Sequence, residues 1–184
     1  MANMLENLRV AEKLLVLKAQ TGDVAAFTAL YRAYFPSLIS FARRLSYDTH
    51  VAEDAVQDAW ITISKTLYRL NDPLKFRPWV FKTVRWRLID IGRKKGKSLT
   101  GIDDVEVSIE APQNLYSDRR DLLKLIKELP VTEREAVYLF YLEGFTLQEI
   151  AEVLNVPMGT IKSRLNRARY NLHKAYLESE CNPE

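Results

Sequence analysis

Apolar residues recur at three- and four-residue intervals through most of the chain, the signature of helices that each bury one face. Phe27, Leu30, Tyr31, Tyr34, Leu38, Phe41 and Leu45 form one such seam. Pro36 falls within it, and a proline that removes a backbone donor predicts a kink or a division there. Val56, Ala59, Trp60, Ile63, Leu67 and Leu70 form a second seam, closed by Asn71-Asp72-Pro73. Phe81, Val84, Leu88 and Ile91 form a third, and a shorter amphipathic segment around Leu14–Leu17 is expected to pack across all three. Together they predict a helical domain over residues 1–95.

The pattern breaks from Gly96 to Tyr116, which holds Gly101 and Pro112 and in which Val105, Val107 and Ile109 alternate. Alternation fits a short strand, but no second strand is evident to pair with it, so an extended linker over 96–116 is the better reading. Helical spacing returns at Leu122, Leu125, Ile126 and Leu129, and Pro130 stops it. Thr132 with Glu135, and Thr146 with Glu149, match the capping-box spacing that opens a helix. Gly144 lies between them, where a helix end calls for a left-handed residue. The expected fold class is all-α: two small helical domains, the second over 117–178, joined by a flexible linker.

Within the second domain, Ala151, Asn155 and Ile161 fall four and then six residues apart. A helix-turn-helix needs a small residue where its helices cross, a permissive turn residue and an apolar residue on the second helix. Asn155 suits the turn, and Pro157 suits the opening of the helix that follows. That helix is expected to bury Ile161, Leu165, Ala168 and Leu172. Lys162, Ser163, Asn166, Arg167 and Tyr170 then stand on its outer side, donors and acceptors suited to base edges and phosphates in a major groove. A plain helical hairpin would share the apolar seam but has no use for an outer face of this kind.

Composition narrows the class. The chain has 184 residues, 47% apolar and 28% charged, which excludes wholesale disorder and allows one ordinary domain or two small ones. A single cysteine, Cys181, permits no internal disulfide, and His50 and His173 lie in no Cys/His cluster, so no metal site and no cofactor are expected. The longest apolar run, Ala136–Leu142, is too short to span a bilayer, and no signal peptide opens the chain. The expectation is a cytoplasmic protein without membrane insertion. Net charge is only +3, but nine basic residues against the single acid Asp90 lie between Lys75 and Lys97. Lys162, Arg164, Arg167, Arg169 and Lys174 follow without an acid among them. Asp103, Asp104, Glu106 and Glu110 lie between the two blocks. Two basic faces joined by an acidic strap fit a polyanion held at two places, and equally two solvated helix faces.

At this point a family comes into view. Gly144–Arg169 (GFTLQEIAEVLNVPMGTIKSRLNRAR) resembles the upstream-element-binding domain of extracytoplasmic-function sigma factors, the small promoter-recognition subunits of bacterial RNA polymerase. Ala52–Trp60 (AEDAVQDAW) resembles that family's polymerase-binding helix, and Lys75–Arg93 (KFRPWVFKTVRWRLIDIGR) its promoter-melting helix. The resemblance implies a sigma region 2 bundle followed by a sigma region 4 helix-turn-helix. It also implies an alternative sigma factor that recognises −35 and −10 promoter elements for a stress- or signal-responsive regulon. Its partners would be promoter DNA, core RNA polymerase (the largest-subunit clamp helices and the flap) and an anti-sigma factor. Lys162, Ser163, Asn166 and Arg167 would read the upstream groove, supported by Arg164 and Tyr170.

Winding Phe81–Lys95 at 3.6 residues per turn sets Lys82, Trp86, Asp90 and Arg93 opposite the apolar seam. An indole among cations offers a stacking surface to an unpaired base while the cations hold phosphates; the alternative is that Trp86 packs under another helix or the linker. The family usually carries asparagine there, whereas Trp79 matches a family tryptophan and is expected in the core. Lys82, Arg85, Trp86, Arg93 and Lys94 are the candidates for melting. By resemblance the loop Asn71–Arg77 forms a pocket for a flipped base, with Asn71, Lys75 and Arg77 in reach. Asp54, Gln57, Asp58 and Ile61 share the outer side of the second seam, either a protein contact with an apolar centre and a charged rim or a solvated acidic face. By resemblance they meet the clamp helices. The 21 residues of 96–116 reach at most roughly 70–75 Å, about two turns of duplex. In the family this linker enters the polymerase, where acids such as Asp103, Asp104, Glu106 and Glu110 mimic RNA; an ordinary solvated linker fits as well.

Gly92–Ser98 has one residue too few between its glycines for a phosphate-binding loop, and a helix rather than a strand precedes it. No nucleophile sits in a recognisable catalytic motif, so an enzyme is not expected. Two rivals to a sigma factor remain. One is a sigma mimic that sequesters an anti-sigma factor, which would not need the cations from Lys162 to Arg169. The other is an ordinary helix-turn-helix regulator, which would not need a polymerase-binding helix.

Overall fold

The computed structural model describes residues 2–46, 48–94 and 124–181. Every regular element among them is helical, and the chain divides into two compact units, Met1–Lys95 and Gly96–Glu184. The strand considered for 105–109, the linker 96–116 and its four acids lie outside the described residues.

The first unit consists of α1 (Ala2–Gln20), α2 (Val24–Leu45), α3 (Thr49–Thr66) and α4 (Phe76–Lys94). Aspartates start two of them. Asp23 accepts from the amide of Ala26 at 3.0 Å, and Asp48 accepts from those of His50 and Val51. Each satisfies amides that a first helical turn leaves without partners. The three expected seams meet in one core. Ala52, Ala55 and Ala59 are fully buried on α3, small enough to let that helix approach α2 and α4, on which Leu38, Phe41, Phe81 and Val84 are fully buried in turn. Phe41 and Phe81 pack ring to ring at 5.2 Å, joining α2 to α4.

Three expectations need correction. Pro36 does not divide its segment: α2 runs unbroken through it. An interior proline costs about 3 kcal/mol. Leu38, Phe41, Ala42 and Leu45, at most 3% exposed on the far side, hold the helix together by burial. The segment around Leu14–Leu17 belongs to a longer helix, and the residue it buries is Val16, while Leu14 and Leu17 are exposed. The second seam is α-helical only to Thr66 and then tightens into a 3-10 turn, Leu67–Arg69. Gln20 anchors that end, its Nε2 donating to the carbonyls of Leu67 (3.0 Å) and Leu70 (2.8 Å), acceptors that a helix end otherwise leaves to water. A second 3-10 turn, Pro73–Lys75, is capped by Asp72 and leads directly into α4. That helix starts five residues before Phe81, with Pro78 in its first turn, where a missing N–H breaks no bond.

In the second unit, a helix α5 over 124–128 precedes α6 (Val131–Val137), α7 (Leu147–Leu154) and α8 (Met158–Cys181). The capping box expected at Thr132 does not form. Thr132 lies inside α6, and the carbonyl of Pro130 takes the amides of Glu133 and Arg134 instead, both at 2.9 Å. α6 widens at its end into a turn of π-helix, Tyr138–Leu142, closed by the Glu143 amide on the Tyr138 carbonyl at 3.1 Å. Gly144 then reverses the chain at φ +65°, a conformation that a side chain disfavours. It delivers Phe145 into the core at 2% exposure. α6 and α7 both pack on α8.

Candidate functional site

α7 and α8 form a helix-turn-helix whose parts have local causes. At Thr146 both halves of a capping box are present: its hydroxyl accepts from the Glu149 amide at 3.2 Å, and the Glu149 carboxylate accepts from the Thr146 amide at 2.7 Å. Asn155 ends α7 in the left-handed region, φ 56° and ψ 48°, which asparagine tolerates better than most residues. Pro157 follows, its carbonyl accepting from Thr160 and Ile161 as α8 begins. Ile161, Leu165 and Ala168 are buried at no more than 2% exposure, while Leu172 is only half-buried. Their burial fixes the rotation of α8 and turns Lys162, Ser163, Asn166, Arg167 and Tyr170 outward, all exposed; Arg164 is half-buried at the border.

The exposed side chains are not equivalent. The Ser163 hydroxyl donates back to the Thr160 carbonyl at 2.9 Å, so what it has left to offer is mainly its lone pairs. Arg169 donates through Nε to the Tyr141 hydroxyl at 2.7 Å and through Nη1 to Asn166 Oδ1 at 3.3 Å. Arg167 lies with Nε 3.7 Å from a carboxylate oxygen of Glu133. The outer face is therefore partly held in place by its own domain.

On α4, Trp86 is 64% exposed and is therefore not a core residue. Trp79 is half-buried with its ring 6.2 Å from that of Phe76, consistent with a place at the core's edge. Lys82 and Arg85 are half-buried beside Trp86. Arg93 and Lys94 are exposed, and each bonds one oxygen of Asp90 at 2.9 Å. The hydrogen bond from Lys94, seconded by Arg93, holds the Asp90 carboxyl below its ordinary range. Those two cations thus carry a local counter-charge, and Asp90 is folded back under them rather than projecting freely. Asn71 and Lys75 are exposed on the approach to α4, and Arg77 is half-buried in its first turn. On α3, Asp54, Gln57, Asp58 and Ile61 form one exposed row at helical spacing, with Ile61 53% exposed among the polar groups.

Comparison with known proteins follows the same division. The Sigma-70 region 2 family model matches residues 30–98, and the Sigma-70, region 4 model matches residues 119–172. The order and placement of both regions decide the identity. The chain belongs to the extracytoplasmic-function sigma factors. Similar relatives include the ECF RNA polymerase sigma factor SigM of Bacillus subtilis, 29% identical over 80% of this chain and 93% of that protein. The ECF RNA polymerase sigma-E factor of Escherichia coli K12 is 29% identical over 88% of this chain and 92% of that protein. Among solved structures, the sigma factor RpoE in complex with the anti-sigma factor NepR from Bartonella quintana superposes with a TM-score of 0.70. It is 29% identical over 82% of this chain and 96% of its own. This sigma factor is accordingly a transcription-initiation factor that works with core RNA polymerase and promoter DNA. No helix among its described residues is long and apolar enough to cross a membrane.

Several contacts that hold the second unit together were not visible in the seams. Glu133, Arg134 and Glu135 are charged yet buried on α6, which packs against α8. Arg134 donates to the Lys127 carbonyl at 2.8 Å and so ties α5 to α6. Tyr141 sits in an apolar run, and only the π-turn directs its hydroxyl to α8. For Glu133 the sequence held no signal, since three consecutive charged side chains on a surface helix can all reach solvent.

Proposed function

We propose that the two units divide the work of promoter recognition. Residues 1–95 dock on core polymerase and hold the opened downstream element, 117–178 bind the upstream element, and 96–116 connect them. Lys162, Ser163, Asn166 and Arg167 read the upstream major groove, with Arg164 and Tyr170 on the flanking backbone. Lys82, Arg85, Trp86, Arg93 and Lys94 hold the melted strand, and Asn71, Lys75 and Arg77 flank a flipped base. Asp54, Gln57, Asp58 and Ile61 meet the polymerase clamp helices. The protein acts in the cytoplasm and carries no catalysis of its own, since the polymerase makes the bonds.

The single observation that carries this reading is the split of α8. Ile161, Leu165 and Ala168 are buried, while the donor-rich side is exposed and free of acids from Lys162 to Lys174. A sigma mimic has no need of such a face. The exposed row around Ile61 supports a protein contact, because an isolated apolar side chain ringed by polar groups matches the centre and rim of an interface. The RpoE relative was solved with an anti-sigma factor, which supports an inhibitor of that class for this chain too. Transcription reconstituted from purified core polymerase, this chain and promoters selected by the resulting holoenzyme tests the whole reading. A transcript that depends on this chain alone is expected. A mimic yields none, and an ordinary regulator yields one only when another sigma factor is added.

A further inference from the structure

Glu133 is buried to 5% exposure in the first turn of α6, yet it does not face the core as a neutral group would. Its Oε2 accepts from Asn171 Nδ2 at 3.1 Å, and its Oε1 lies 3.7 Å from Arg167 Nε. Arg167 and Asn171 stand one turn apart on α8, so both reach the same carboxylate from one side. A buried carboxylate is costly unless paired and hydrogen-bonded, and these two side chains supply both. The Arg167 side chain nevertheless remains 64% exposed. It approaches Glu133 through Nε, at ion-pair rather than hydrogen-bond distance.

That approach matters because a guanidinium is planar. An ion pair at the Nε edge favours orientations of the plane that keep Nε toward the carboxylate, and it leaves the Nη pair for another acceptor. A pre-aimed side chain also loses less rotamer freedom when it binds. We propose that Glu133 is a positioning residue for promoter readout. From beneath the recognition helix it aims Arg167, so that the Nη fork presents itself to the O6 and N7 acceptors of a guanine in the upstream element. The inference rests on Arg167 reading a base and adds what orients it and which base chemistry it suits. A lysine at 167 would keep the charge but offer no such fork.

The test uses holoenzyme assembled from core polymerase and the full chain, with promoter duplexes selected by the unaltered holoenzyme and then changed one upstream base pair at a time. Arg167→Ala should relax preference at one G·C pair. Glu133→Gln, which keeps shape and the acceptor for Asn171 but removes the charge, should relax the same pair by about three- to tenfold, within the range that contacting residues show in double-mutant cycles. Combined with Arg167→Ala it should add nothing. Glu133→Asp keeps the charge but withdraws the carboxylate by one methylene, and it should shift preference in the same direction even if the glutamine variant folds poorly. Thermal unfolding of each variant, followed in parallel, separates aim from stability. If Arg167→Ala changes no base preference, base reading by Arg167 fails and the positioning role falls with it. If Arg167→Ala relaxes the pair but the Glu133 variants leave it intact, or act equally without Arg167, or tighten binding to every sequence alike, positioning is overturned while base reading stands.

Discussion

Replacing Trp86 with alanine separates strand opening from folding and from initial docking. Trp86 is 64% exposed, so only about a third of its surface is covered. Taking a large aromatic at roughly 250 Å², that is roughly 90 Å², worth at most about 2 kcal/mol at about 25 cal/mol per Å². Alanine returns roughly 0.5 kcal/mol through better helix propensity, leaving a net stability loss of no more than about 1.5 kcal/mol. Phe81 sits on the same helix at 0% exposure, and its truncation should cost about 3–5 kcal/mol. The functional cost lies elsewhere. One lost base stack is worth about 1–3 kcal/mol, a shift of about 5- to 150-fold in the opening equilibrium. A fluorescent base analogue in the downstream element reports opening, and mobility shift in the cold reports the closed complex. Trp86→Ala should reduce the first by at least fivefold and leave the second nearly unchanged. Equal losses in both, or an unfolding change as large as that of Phe81→Ala, would refute stacking as the role of this side chain.

Three further outcomes follow from the geometry. Ile61→Asp should weaken assembly with core polymerase by about 1–2 kcal/mol, measured by fluorescence anisotropy, without altering thermal unfolding, because Ile61 is 53% exposed; unchanged assembly would remove that row from the interface. Thr146→Ala removes the cap of an eight-residue helix and should cost about 1 kcal/mol in urea unfolding, while Thr146→Ser should cost little, and equal behaviour of the two would argue against the capping box. Asp90 is held below its ordinary range by Lys94 and Arg93, so the stabilisation from its ion pairs is complete at neutral pH and is lost only as pH falls through that lowered value. Asp90→Asn should abolish this component of the acid-side stability change, and NMR titration of the carboxyl giving a raised value would contradict the assignment.

The helical seams and the turn at Asn155 were legible because each depends on neighbours in the chain. A 3.6-residue period puts Ile161, Leu165 and Ala168 on one side wherever the helix packs, and asparagine tolerates the left-handed region by its own local bonding. The exposed sides of α3 and α8 follow from the same arithmetic, which is why Ile61, Asn166 and Arg167 stand outward where the period puts them. The two capping signals show the limit of that logic. Thr146 and Thr132 have the same spacing to a glutamate, yet only Thr146 caps, because Pro130, outside the motif, starts α6 two residues earlier and takes its first amides. Pro36 likewise has a local cost that the burial of the residues beyond it overrides.

What the amino-acid order determined unaided is the set of faces: which side of each helix is apolar, which is basic, and where the chain turns left-handed. Tertiary structure alone decided which outward residues are held and which are free to move. Gln20 reaching the carbonyls of Leu67 and Leu70, Tyr141 bonding Arg169 through a π-turn, and Glu133 beneath Arg167 all join residues at least 28 positions apart. Such contacts carry no period, because they depend on the packing of whole helices against one another, and that is a property of the core rather than of any one segment.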